Sequence, residues 1–300
     1  MRNKANQFGP IVKWVGGKRQ LLPALLTHVP KRISTYIEPF AGGAALFFGI
    51  CNREREKKCA FDRAILCDQN EELIACYRAV RDDVDALIEA LSVYRYDRDL
   101  FYEVRAQSTQ GWVDVARGAR FLFLNRTCFN GLWRVNSKGR FNVPFGRYTN
   151  PRIVDEAGLR RASEVLTRVD LRCGDFVGTL EGATPNDFVY FDPPYIPVSK
   201  TSNFTAYAKE GFGESDQVRL LDAMRVLSKK KVPFMLSNAD TADTRALYRE
   251  FTIRSVEASR AVNSDPTKRG PVREVIVLPR ATLLRKRASV KQQAFDWERT

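Results

Sequence analysis

The segment Asp187-Phe188-Val189-Tyr190-Phe191-Asp192-Pro193-Pro194 leaves a chain few ways to fold. Its first six residues read as a strand. The two prolines end it, because proline has no N–H to donate to a sheet ladder. Residues 33–40 read as another strand, followed by a glycine pair and the apolar run Ala45–Ile50 that can begin a helix. Further strand candidates are 59–67, ending at Asp68, then 169–175, 231–238, 251–258 and 272–278. Between Glu71 and Leu91 the apolar positions Leu73, Ile74, Tyr77, Val80, Val84, Leu87, Ile88 and Leu91 have the spacing of one amphipathic helix. Ser215 is placed to cap a helix with Val218, Leu221, Met224 and Leu227 on its apolar face. Asp240 is placed to cap the next, with Asp243 in its first turn. Strand, glycine turn, helix, strand, helix is the opening of a doubly wound α/β domain. No internal repeat interrupts it.

The middle of the chain breaks this pattern. Residues 94–165 are rich in arginine and aromatics. Ala116–Leu124 looks helical, and Asn136–Pro151, with two glycines and two prolines, reads as loop or hairpin. The expected organisation is therefore a discontinuous catalytic domain, residues 1–75 and 166–280, with an inserted and mostly helical module at 76–165. A basic tail, 281–300, follows. The net charge of +14 favours a polyanionic partner. Ribosomal, RNA-binding or membrane-surface proteins are basic too, so charge alone does not choose. No apolar stretch is long enough to span a bilayer, and the N-terminus lacks the apolar run of a signal peptide. The expectation is a cytoplasmic protein with no membrane partner. The six cysteines, Cys51, Cys59, Cys67, Cys76, Cys128 and Cys173, form no CxxC pair, and His28 is the single histidine. Free thiols are expected, with neither a zinc site nor a histidine-based nucleophilic mechanism.

The sharpest chemical signal is Asp192-Pro193-Pro194-Tyr195 at the carboxyl end of its strand, where open α/β sheets bind ligands. An exocyclic adenine amine is a poor nucleophile because its lone pair is delocalised into the ring. The Asp192 carboxylate and the Pro193 carbonyl can each accept one of its N–H bonds, which favours a more pyramidal nitrogen. Tyr195 offers a ring on which an extruded base can stack. The bland alternative is a strand terminator with a tight turn. A second signal, Glu38-Pro39-Phe40-Ala41-Gly42-Gly43-Ala44, permits close approach of a cofactor but lacks the dinucleotide fingerprint. A structural glycine turn is its plain reading. Asp68, ending the next strand, reads either as a ligand for ribose hydroxyls or as a surface acid. Lys13-Trp14-Val15-Gly16-Gly17-Lys18 resembles a phosphate loop only superficially: the spacing and the Ser/Thr of that motif are absent, and ATP hydrolysis is rejected. Its two glycines offer at most a weak backbone nest. The fourth signal is the basic, aromatic set Arg126, Phe129, Asn130, Leu132, Trp133, Arg134, Lys138, Arg140, Asn142, Arg147 and Tyr148. Arginine can pair with guanine in the major groove and asparagine with adenine, whereas a solvated basic face is the competing reading.

Taken in order, residues 13–18, 38–43, 125–148, 187–195 and 201–207 resemble the Dam-like, or D12, class of DNA adenine-N6 methyltransferases. The similarity runs from about Ile11 to Leu278 and looks most like the restriction-modification branch that methylates GATC. It implies a class I S-adenosylmethionine-dependent methyltransferase fold, a Rossmann-like mixed sheet with an inserted target-recognition domain. It implies S-adenosylmethionine as cofactor, S-adenosylhomocysteine as product and no metal. The resemblance assigns the cofactor site to Trp14, Gly17, Lys18, Glu38, Phe40, Gly42 and Asp68, with Asp175 and Phe176 beside its adenine and Asp192 adjoining. Asp192 and Tyr195, on Pro193 and Pro194, form the implied base pocket. Lys13, Asn130, Leu132, Arg134, Pro144 and Tyr148 look like target contacts, and Asn203 lies in a segment resembling the loop that orders over the flipped base. Arg126, Asn142 and Arg147 complete the expected DNA face. The implied partners are double-stranded DNA and a separately encoded restriction endonuclease, with a monomer sufficient because each strand is methylated separately. Cytosine-N4 or RNA adenine methylation, and DNA binding without catalysis, are the competing readings. Serine is the commoner residue at position 192 in the N4 enzymes, which counts against the first.

Overall fold

The computed structural model describes residues 7–18, 20–195, 212–259 and 271–280. The elements run α1 (Leu22–Leu26), β1 (Arg32–Glu38), α2 (Ala45–Arg55), β2 (Ala60–Asp68), α3 (Glu71–Asp82), α4 (Val84–Ser92), α5 (Arg98–Ala106), α6 (Asp114–Thr127) and α7 (Glu156–Leu166). They continue with β3 (Val169–Cys173), β4 (Phe188–Phe191), α8 (Glu214–Lys229), β5 (Phe234–Ala239), α9 (Ala242–Leu247), β6 (Thr252–Ser259) and β7 (Pro271–Leu278). The seven strands form one sheet in the order β3-β2-β1-β4-β5-β7-β6. The first five are parallel to their neighbours, and β7 lies antiparallel between β5 and β6. This is the mixed, Rossmann-like sheet expected.

Strand side chains alternate between two apolar layers, as the period of two requires. Ala64, Leu66, Phe188, Tyr190, Met235 and Ile276 face one core, and Ile65, Val189, Phe191, Phe234, Leu236, Val275 and Val277 face the other. Both faces are covered, which is why β4 reads as an unbroken apolar run. Helices α2–α7 all pack on the first layer and share a single core with it, whereas α8 and α9 cover the second. Helix α3 packs on the sheet as well as on α4, α6 and α7, and the domain boundary expected at 75/76 falls inside it.

Several local expectations are corrected. The helix expected over residues 71–91 is two: Asp83 leaves helical geometry (φ −153°, ψ 73°) and its carboxylate accepts from Ala86 N, capping α4. The cap of α8 is Gly213, not Ser215, with Asp216 accepting from Gly213 N at 3.0 Å. Val218 is 48% exposed, and the buried face uses Leu220 with Leu221, Met224 and Leu227. Thr241, not Asp240, caps α9, because Asp240 is taken by Arg245 and Ser255. All six cysteines are free thiols, and only Cys173 is exposed. No helix among the described residues is long and apolar enough to cross a membrane. Asn203, the Thr201–Tyr207 segment and the tail 281–300 lie outside the described residues.

Candidate active site and nucleic-acid interface

The chain turns from β1 towards β2 on one side and β4 on the other, so the carboxyl ends of β1 and β4 flank a topological switch point. Ligand crevices of open α/β sheets lie at such points. Glu38 ends β1 and Asp192 follows β4 by one residue, which places both carboxylates here.

Asp192 is held from two sides. Lys18 Nζ lies 3.0 Å from Oδ1, and Ser237 Oγ donates to the same oxygen at 3.0 Å. Ser237 is itself hydrogen-bonded to Tyr190 OH at 2.8 Å. Both donors converge on Oδ1, so among the described residues Oδ2 is the oxygen left to accept from a substrate. Burial pushes the Asp192 carboxyl above the usual range, and the Lys18 ammonium and the Ser237 hydroxyl pull it back down. Lys18 is only 4% exposed. It also donates to Tyr195 OH, stands 4.3 Å from that ring's centroid and pairs with Glu274 at 3.4 Å. Tyr195 OH donates in turn to Glu274 Oε2. Burial and the Asp192 and Glu274 charges push its phenol well above the ordinary value, so Tyr195 stays neutral. Gln217 Nε2 donates to Pro194 O at 3.4 Å, which steadies the proline turn.

The glycine turn is built around Asp68 and Trp14. Asp68 accepts from Gly42 N at Oδ2 and from Asn70 N at Oδ1, at 2.9 Å each, and Tyr77 OH donates to Gly42 O. Gly42 has φ +45°, and a Cβ there would stand 2.6 Å from the Trp14 ring. Gly42→Ala therefore meets both left-handed strain and a collision. We expect it to cost about 1–3 kcal/mol of stability and to weaken cofactor binding about tenfold or more in calorimetry. Unchanged affinity would remove Trp14 and Gly42 from the site. Glu38 is buried and accepts from Tyr36 OH at 2.8 Å. Burial, with Asp192 and Asp68 nearby, pushes its carboxyl up.

Other assignments are rearranged. Gly17 N–H turns inward to Trp14 O at 3.2 Å, so the Gly16-Gly17 pair makes a turn and not a nest. Asp175 pairs with Arg219 at 2.7 Å and caps Val177 N. Phe176 is 1% exposed and lies beneath Phe40, with ring centroids 5.2 Å apart, so Phe40 is the member of the pair nearer the surface.

The residues expected to face the target gather at the end of α6. Asn130 takes left-handed geometry (φ 54°, ψ 17°) in a short turn, and a hairpin follows, bridged Val135–Phe141 and Cys128–Phe145. Trp133 is packed between Phe121 of α6 and Phe141, which ties the hairpin to the core beneath α6. Asn130, Arg134, Lys138, Arg140, Pro144 and Arg147 are exposed, and Leu132 and Asn142 are half-buried. Arg134 Nε donates to Asn142 Oδ1 at 2.7 Å. Lys13 joins them, its ammonium 4.2 Å over the Tyr148 ring. Arg126 differs: its guanidinium reaches Ile11 O at 2.5 Å, an internal contact.

Sequence reasoning missed Ser237, Gln217 and Glu274 around Asp192, and Asn125 behind Lys13. Only Ser237 had a usable signal: parallel pairing of β4 with β5 puts the residue after Leu236 beside the one after Phe191.

The family described as D12 class N6 adenine-specific DNA methyltransferase matches residues 14–262. The chain is 42% identical over 284 residues to the type II methyltransferase M1.LlaDCHI of Lactococcus lactis subsp. cremoris, covering 92% of this chain and 96% of that one. It is 43% identical over 278 residues to the type II methyltransferase M.MjaIII of Methanocaldococcus jannaschii, covering 87% and 94%. It is 35% identical over 275 residues to the DNA adenine methylase of Haemophilus influenzae, covering 90% and 93%. A solved class I S-adenosylmethionine-dependent methyltransferase from Listeria monocytogenes, itself described as putative, matches at 13% identity with a TM-score of 0.40. It covers 92% of this chain and 62% of that one, a likeness too slight to add to the family match.

Proposed function

The chain belongs to the D12 class of N6 adenine-specific DNA methyltransferases, and from that premise we propose that it turns one adenine of a GATC site out of duplex DNA and methylates it at N6. S-adenosylmethionine is the methyl donor and supplies an electrophilic methyl group whose departure leaves a neutral thioether. The residues at the crevice fit that cofactor. The Asp68 carboxylate, held by the Gly42 and Asn70 N–H groups, is an acceptor suited to ribose hydroxyls. The Phe40 ring, backed by Phe176 and Phe212, offers a ledge for a purine.

The observation that carries the reading is the one-sided anchoring of Asp192. With Oδ1 pinned by Lys18 and Ser237, Oδ2 points its remaining capacity at an exocyclic amine, and the Pro193 carbonyl takes the second N–H. Holding nitrogen in line with the methyl group supplies the rest of the rate. Asn130, Arg134 and Lys13 carry the chemistry that reads adenine and guanine edges, and the basic residues around them suit phosphates. The helical insert, 76–165, is the target-recognition unit on this reading. Relatives named type II methyltransferases support a role as the modification partner of a separately encoded nuclease. On this reading the enzyme acts in the cytoplasm, as a monomer.

Methyl incorporation from labelled cofactor into unmethylated duplexes tests this directly. The GATC duplex should yield N6-methyladenine, and each single-base change should cost about 1–3 kcal/mol, roughly five- to 150-fold in kcat/KM. N4-methylcytosine as the product would overturn the reaction. N6-methyladenine at another sequence would overturn GATC alone.

A further inference from the structure

The stretch Gln7–Lys18 runs from helix α2 past helix α6 and ends at Asp192. Two asparagine side chains hold it by its backbone. Asn52 of α2 accepts from Phe8 N and donates to Phe8 O, both at 2.9 Å. Asn125 of α6 accepts from Lys13 N and donates to Lys13 O, both at 2.8 Å. Its amide nitrogen also donates to Gly131 O at 3.2 Å. Asn125 is 0% exposed, and a single amide orientation satisfies all three bonds.

These bonds join pieces with different tasks. Gly131 belongs to the turn that presents Asn130, and its φ of +63° presses it so close to Lys13 that a Cβ would stand 2.5 Å from the Lys13 Cβ. Lys13 faces Tyr148 of the recognition surface. The next residue, Trp14, lies against Gly42 of the cofactor turn, and Lys18 holds Asp192.

We propose that Asn125 is a positioning residue that couples reading of the target sequence to methyl transfer. DNA that seats the Asn130–Arg134 turn fixes Gly131. Asn125 passes that placement to the Lys13 backbone, and Lys13–Lys18 delivers it to Trp14 and Asp192. DNA that fits the turn poorly leaves Lys18 and Asp192 less well aligned. Asn52 clamps the same stretch but touches no target-facing element, which makes it the matched control. The inference rests on the reading of the chain as a sequence-selective DNA methyltransferase.

The test compares wild type, Asn125→Ala and Asn52→Ala. Single-turnover rates and kcat/KM are measured on the GATC duplex and its single-base variants, alongside cofactor affinity and melting temperature. Asn125→Ala should reduce the ratio of cognate to altered-site kcat/KM by about tenfold or more, through the cognate single-turnover rate, with cofactor affinity within about threefold. Asn52→Ala should lower the melting temperature and leave the ratio unchanged. A ratio preserved in Asn125→Ala, even with all rates reduced, would show a purely structural role and overturn the proposal. If Asn125→Ala does not fold, Asn125→Asp is read the same way, because it keeps the bond from Lys13 N and loses both donations. If wild type prefers a sequence other than GATC, the assigned target fails by itself, and the same ratio is measured around the preferred sequence.

Discussion

Asp192→Asn slows methyl transfer by about three orders of magnitude, while duplex affinity stays within about threefold. The asparagine keeps the volume and the buried hydrogen bonds, so the fold survives. Its chemistry is inverted. Lys18 Nζ and Ser237 Oγ both point at the position of Oδ1, and both are donors. They draw the amide oxygen to themselves and leave the NH2 group facing the substrate amine, donor against donor. The amine then loses the acceptor that shapes its lone pair and meets a repulsive contact in its place. Single-turnover methyl transfer, read with fluorescence anisotropy of a labelled duplex, checks both halves. A variant within tenfold of wild type would sink the role assigned to Asp192.

The second large effect is on Lys18. Lys18→Met leaves Asp192 and Glu274 without the cation that stands 3.0 and 3.4 Å from them. Removing one partner of a buried ion pair costs about 3–5 kcal/mol, which for a chain of this size is a drop on the order of 10 °C in melting temperature. The pH dependence gives a signature that simple damage would not. Burial already raises the Asp192 carboxyl above its unfolded value, and Lys18 is the main opposing influence. Without Lys18 the folded-state pKa rises further. A carboxyl raised in this way holds its proton more tightly when folded, so the penalty is present above the folded pKa and fades as pH falls through it. The variant should therefore gain stability relative to wild type as pH is lowered. Activity should run the other way, because only the carboxylate accepts from the amine. The acidic limb of the single-turnover rate, measured at saturating cofactor, should move towards neutral pH. A limb that stays in place would show that Lys18 does not set the ionisation of Asp192.

Much of this protein is written in residues that act alone. Pro193 and Pro194 end a strand because neither has an N–H, and that property by itself puts Asp192 at the carboxyl edge of the sheet. Gly42 marks the turn after β1 because a left-handed φ excludes most side chains. The apolar runs of β2, β4 and β5 announce a sheet buried on both faces. Where near-equivalent residues compete, the local signal fails. Ser215 and Asp240 are good caps by type, yet Gly213 and Thr241 hold those positions, because Asp216 and Arg245 engage the neighbouring groups. Asp83 divides one apolar periodicity into two helices for the same reason, since its carboxylate satisfies a backbone N–H better than continued helix would.

Apart from Ser237, the partners around Asp192 had no such signature. Glu274 reaches Lys18 across 256 positions of sequence, because β7 inserts antiparallel between β5 and β6 and carries Glu274 to the register of Ala239. Asn125 reaches Lys13 across 112 positions, because α6 packs beside the stretch that leads to Lys18. A missing N–H or a positive φ belongs to one residue and can be read from its identity. The choice of which buried carboxylate meets which ammonium, and which amide clamps which backbone, depends on strand order and helix packing, and those are decided only when the whole core closes.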